Sequence, residues 1–183
     1  MLQIIAIAAG AAIAGVLGLA ARKPDTFRIQ RTGVIDAPPE KIHPLLDDLR
    51  RWAEWSPWEK LDPQMKRTFS GATSGRGAAY AWEGNKKAGA GRMEITGSSP
   101  ERVTIQLDFT RPFEAHNITT FTLQPRGGRT EVVWAMDGPQ PFMNKVMCVF
   151  INMDSLVGKD FETGLANLKA LAEGQPSPAP AAS

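Results

Sequence analysis

Two histidines, one cysteine and one tyrosine are the side chains here best suited to acid–base or nucleophilic chemistry near neutral pH, in a chain of 183 residues. A histidine base works only with a substrate proton, and usually an orienting acid, within hydrogen-bond reach. His43 is followed by Pro44 in a helix-like stretch and reads as a solvated residue. His116 sits beside Asn117 in a strand-like stretch, where it either faces the interior as a general base or is a partly buried, hydrogen-bonded residue. Asp108 alternates with an apolar face and should point outward. The two histidines are far apart in the chain and neither has a ligand spacing, so no metal site is expected. Cys148 stands alone, which rules out a disulfide within the chain and fits a small buried apolar residue. Gly84 to Gly89 has the spacing of a phosphate loop, but Ala90-Gly91 replaces the required Lys-Ser/Thr. Gly71-Ala72-Thr73-Ser74-Gly75 misses a nucleophile elbow by one residue. Asn117-Ile118-Thr119 has the form of a glycosylation sequon, discounted because it lies in a strand with no secretory context. No catalytic residue and no cofactor is assigned.

The informative chemistry is apolar. Trp55, Trp58, Tyr80, Trp82, Met93, Phe109, Phe113, Phe121, Trp134, Met136, Phe150 and Met153 make an aromatic and methionine-rich set. Methionine suits adaptable apolar sites because its flexible thioether repacks around varied shapes. Each of these residues alone reads as core. Trp52, Trp55 and Trp58 fall within seven residues, beside a Ser56-Pro57 corner, and imply a deep core or the rim of an apolar cavity.

The elements that hold them follow from periodicity. Phe27, Ile29, Arg31, Gly33 and Ile35 share one face of a strand. Asp36-Ala37-Pro38-Pro39-Glu40 opens a short helix, with Asp36 as the N-cap candidate. Strands are expected at Met65–Ser70, Gly77–Glu83, Ala88–Thr96, Arg102–Phe109, Ala115–Gln124 and Thr130–Asp137, joined by Gly-, Asn- and Pro-rich turns. Successive strands after two short helices argue for an antiparallel α+β sheet. One long helix is expected from Phe142 to Glu173, with Val146, Phe150, Met153, Val157, Phe161, Leu165 and Leu168 at helical spacing. Inside it Gly158 and Gly164 cost about 1 kcal/mol each relative to alanine, which makes sense where a strand or ligand approaches closely.

Val34-Ile35-Asp36-Ala37-Pro38-Pro39-Glu40-Lys41-Ile42 followed by the tryptophan cluster resembles the START-like, or SRPBCC helix-grip, superfamily. Its polyketide cyclase/dehydrase and lipid-transport branch is the nearest in appearance. Gly77 to Met93 and Val157 to Lys169 agree, and the resemblance covers roughly Phe27 to Glu173, within a domain expected over residues 26–173. It implies a curved antiparallel sheet gripping a long C-terminal helix, with a hydrophobic tunnel between them. On that fold the twelve aromatic and methionine residues become candidate ligand-binding residues. The leading expectation is a domain that binds a lipid, isoprenoid or polyketide-like molecule. Alternatives are a cyclase/dehydrase moving protons through Tyr80 or His116, and a stress-response or protein-interaction module with a filled cavity.

The 21 basic and 19 acidic residues nearly balance, and no basic run is long enough to track a phosphate backbone, so nucleic acid is not an expected partner. Residues 174–183 read as a disordered Pro/Ala/Ser tail. Residues 1–21 carry no charged side chain and would reach about 31 Å as a helix, close to a bilayer core of about 30 Å. Three readings stand: an uncleaved single-pass membrane anchor within residues 1–23, a signal cleaved after Gly18-Leu19-Ala20, and a docked helix. The anchor is the leading expectation, with Arg22-Lys23 placing the domain on the cytoplasmic side of the cell membrane.

Overall fold

A computed structural model describes residues 1–175; the expected disordered tail falls, from residue 176 onward, outside the described residues. The chain opens with α1 (Leu2–Ala21), then β1 (Thr26–Ile35), α2 (Pro39–Asp47), α3 (Trp52–Trp55) and a 3-10 turn over Pro57–Lys60. Six strands follow: β2 (Lys66–Gly71), β3 (Ala78–Glu83), β4 (Ala90–Ser99), β5 (Arg102–Arg111), β6 (Ala115–Arg126) and β7 (Arg129–Pro139). The chain closes with α4 (Phe142–Phe150) and α5 (Met153–Ala172).

The seven strands form one antiparallel sheet in the order β1-β7-β6-β5-β4-β3-β2. Every neighbour is sequential except β1, which returns to pair with the last strand from Thr26↔Pro139 to Ile35↔Thr130. Gly127 and Gly128 both take positive φ, at 57° and 86°, between β6 and β7. A two-residue hairpin turn whose twist matches its strands needs that geometry at both positions. Register shifts between Ala90/Gly91 and Ile95/Gly97 in β4 bend the sheet. Its concave face receives α5, with α2 and α3 closing one end, so the fold is the α+β helix grip.

α5 buries Phe161, Gly164, Leu165 and Leu168 against that face. Its two glycines mark where strand side chains press on the helix backbone. A Cβ on Gly164 would lie 2.7 Å from the Trp134 ring, and one on Gly158 would overlap the Arg31 guanidinium. Arg31 reaches across to Asp154 at 3.1 Å and Glu162 at 2.7 Å, tying β1 to the helix.

Three expectations are corrected. The helix expected from Phe142 to Glu173 is broken. Ile151 is extended, and the Asn152 side chain accepts a hydrogen bond from the Ser155 backbone N–H at 3.1 Å, starting a new helix as its N-cap. Asp36 does not cap α2; Pro38 holds that position, and the Asp36 carboxylate pairs with Arg129 at 2.6 Å. The third correction concerns the membrane anchor. Among the described residues no helix is long and apolar enough to cross a membrane, so the single-pass anchor and the cell-membrane placement built on it are overturned. Gln3 and eleven alanines and glycines dilute the apolar character of residues 1–21. Instead α1 lies along α4, and Lys145 of α4 reaches Asp25, just before β1, at 2.5 Å. That ion pair holds the Asp25 carboxyl below its usual range.

Candidate functional site

The register sorts the inward side chains into rows that cross the sheet. Nearest the mouth, Trp82, Gly91, Phe109 and Ala115 stand opposite one another in turn. The next row is Phe69, Tyr80, Met93, Leu107 and Asn117. A third carries Ile95, Ile105, Thr119, Met136 and Ile29. The fourth carries Val103, Phe121, Trp134 and Arg31.

A cavity of about 870 Å³ lies over the first three rows and stops at the fourth. Trp58, Tyr80, Trp82, Met93, Phe109, Phe113, Met136, Phe150 and Met153 all line it. Phe113 and Phe150 are each 73% exposed and so form its rim, where the β5–β6 loop faces α4. Trp55, Phe121 and Trp134 take no part in the lining. They belong to an aromatic block in which Trp134 stacks on Phe161 at 4.2 Å and meets Phe121 at 4.8 Å and Trp55 at 5.6 Å. Trp134 is 1% exposed. The helix break explains the division: α5 lays Phe161 onto the fourth row, whereas α4 packs along α1 and stands off the first three rows, roofing a cavity over them with Met147, Cys148 and Phe150.

Gly91 serves the mouth directly. A Cβ there would sit 2.5 Å from the Trp82 ring, so the missing side chain lets that indole lie flat on the strand. The Trp82 N–H donates to the Ala88 carbonyl at 3.1 Å, and Phe109 meets the ring edge-on at 5.6 Å.

One wall is polar in a way that composition did not reveal. The Tyr80 hydroxyl donates to Glu59 Oε1 at 2.7 Å, and Arg67 Nε donates to Glu59 Oε2 at 2.7 Å. The Glu59 side chain is 8% exposed and lines the cavity. Burial, then the hydrogen bond to the Glu59 carboxylate, push the Tyr80 phenol above its ordinary value, so it stays protonated. The hydrogen bond that Arg67 donates to Glu59 likewise raises the Arg67 pKa, so it stays charged. Both Glu59 oxygens are therefore committed within the protein.

His116 lies on the outer face of the sheet, 61% exposed, with Nδ1 at 2.8 Å from Asp108 Oδ1 across the β5–β6 pair. It takes no part in the cavity. The hydrogen bond to Asp108 raises its pKa; burial opposes ionisation of Asp108, but His116 and Gln106 hold its carboxyl below the usual range. His43 Nε2 lies 3.2 Å from Ser98 Oγ, and that hydroxyl also bonds Asp47. Because Ser98 gives its proton to a carboxylate rather than to the imidazole, the three do not form a nucleophile–base relay.

Residues 26–173 match the family model described as polyketide cyclase / dehydrase and lipid transport. The chain belongs to that family. No curated protein matches it. Among solved structures, protein CV1439 from Chromobacterium violaceum is 20% identical with a TM-score of 0.56, over 82% of this chain and 99% of that one. Protein Ms6760 from Mycobacterium smegmatis is 18% identical with a TM-score of 0.55, over 83% and 94%. The di-domain ARO/CYC BexL from the BE-7585A biosynthetic pathway is 15% identical with a TM-score of 0.61, over 87% of this chain and 54% of that one. These likenesses establish the shared fold, and the family membership makes this a ligand-binding or cyclase-type SRPBCC domain.

Sequence reasoning missed Glu59, Arg67, Asn117 and Thr119. The last two were within reach: if Phe121 and Leu123 face inward, period-2 alternation puts Thr119 and Asn117 inward and His116 outward. Glu59 sits in a 3-10 turn, where no periodicity applies.

Proposed function

We propose that the chain binds one hydrophobic or amphipathic small molecule in the space between the sheet and the α4–α5 segment, without covalent chemistry. The observation that carries this reading is the cavity of about 870 Å³ over an apolar floor. Ligand pockets of this kind run from about 300 to 1,000 Å³, mostly apolar with a few placed polar groups. An unoccupied apolar space of that size would forfeit packing on every wall, so an occupant is the natural source of the lost contacts.

The second reading, a cyclase-type enzyme, draws on Tyr80 and Glu59 in the wall. Both are poorly disposed for proton transfer. Glu59 is held by Tyr80 and Arg67, and the phenol is harder to ionise than usual. General acid–base groups work best with a pKa near the working pH. A filled-cavity module sits badly with the volume.

Native mass spectrometry of the purified full-length chain tests the binding reading. The expected spectrum holds a complex with one copy of a small molecule, released on mild activation. Protein without adduct, even after incubation with lipid extract, contradicts it.

A further inference from the structure

The polar groups of the cavity wall divide into those already used and those still free. The Tyr80 hydroxyl, the Glu59 carboxylate and the Trp82 N–H are committed to protein partners. The Asn117 carboxamide and the Thr119 hydroxyl make no side-chain hydrogen bond among the described residues. Both line the cavity, and they are 5% and 4% exposed. They stand two residues apart on β6, so their side chains leave the same face roughly 7 Å apart. Among the described residues only Trp134 Nε1 is a side-chain polar atom sealed away without a partner, so the Asn117 and Thr119 polar atoms keep accessible surface, and the cavity that both residues line is where it opens. A purely apolar occupant would bury them unpaired at a cost in free energy, so they call for a polar atom in the occupant.

The surroundings narrow what that atom is. The inward neighbours across the strands are Leu107 beside Asn117, and Ile105 and Met136 beside Thr119. None carries a charge, and a buried ion without a counter-charge is heavily penalised. A carboxamide and a hydroxyl each donate and accept, which suits a neutral oxygen function. Room for the carboxamide is built in as well: a Cβ on Gly138 would collide with Asn117 Oδ1 and lie 2.8 Å from the Phe27 ring.

Resting on the binding function proposed above, we propose that Asn117 and Thr119 form a polar subsite selecting an otherwise apolar molecule that carries a neutral carbonyl or hydroxyl. The remainder of that molecule lies over the Met93, Leu107 and Met136 floor.

A shape-matched pair tests this in the full-length chain. 9-Fluorenone and fluorene differ by a carbonyl in place of a methylene, and each is titrated as a competitor of bound N-phenyl-1-naphthylamine. The readout is the ratio of the two dissociation constants, compared between wild type and Asn117→Leu, so that differences in water solubility cancel. The preference for the ketone should fall about ten-fold in the variant, as expected for one lost buried hydrogen bond, while fluorene binding is kept. Thr119→Val should shift the ratio the same way by less, and it decides the matter alone if Asn117→Leu fails to fold. An unchanged ratio in the folded variants, with the probe still bound, overturns the subsite and leaves the binding function standing. A wild type that binds neither the probe nor either competitor overturns the binding function itself.

Discussion

The two ends of the interior are built from the same kinds of side chain and do opposite things. At the closed end Trp55, Phe121, Trp134 and Phe161 interlock at centroid distances of 4.2 to 6.1 Å. At the mouth Trp82, Phe109, Phe113 and Phe150 surround open space. The difference lies in what covers them. α5 runs unbroken over Met153–Ala172 and brings Phe161 down on Trp134, whereas the Ile151–Asn152 break sets α4 off from the first rows. Aromatic enrichment thus marks the interior of this fold without saying whether it is filled.

The closed end should be the more expensive to damage. Trp134→Ala removes a ring that is 1% exposed and should cost about 3–5 kcal/mol, read as a lower urea midpoint at unchanged slope. Gly164→Ala attacks the same contact from the helix side. With its new Cβ 2.7 Å from Trp134, overpacking should cost about 1–3 kcal/mol. At the mouth the order of effects reverses. Phe150→Ala, at a residue 73% exposed, should move stability by no more than about 0.5 kcal/mol yet weaken binding of an apolar probe. If Phe150→Ala proves as destabilising as Trp134→Ala, the mouth is core and the contrast fails.

The smallest effect belongs to the outer face. His116 has a raised pKa, so its pairing with Asp108 contributes fully below the ordinary histidine value and fades as pH climbs through the raised one. Asp108 has a lowered pKa, so its share is present above the ordinary carboxylate value and fades as pH falls through the lowered one. His116→Gln should therefore lose a little stability between those limits and nothing in alkali, with probe binding untouched. Thermal melts across pH would show this, and a loss of binding would place His116 in the site after all.

The strands were legible because turns rich in Gly, Pro and Asn bracket alternating runs; each observed strand falls within about three residues of its expected limits. The helix break was not, because Phe150, Met153 and Val157 keep helical spacing through it. The deciding signal was Asn152, a residue that caps more readily than it continues a helix. That one break also decided which aromatics line the cavity. Composition pointed to all twelve candidates alike, and Trp55, Phe121 and Trp134 separated from the rest only once the strand register fixed their rows. The Glu59–Arg67 pair needed the fold as well, since the irregular stretch 61–65 lies between the partners.

The central claim is that the space over the first three rows is a binding cavity, and filling it is the most direct test. Met93→Trp places a large side chain mid-floor, two rows from the aromatic block. Titrating N-phenyl-1-naphthylamine into the wild type should give saturable one-to-one binding. The variant, still folded by circular dichroism, should bind at least ten-fold more weakly. Equal binding by both would place the probe on the exterior, and no saturable binding by the wild type would mean that the cavity does not receive a ligand.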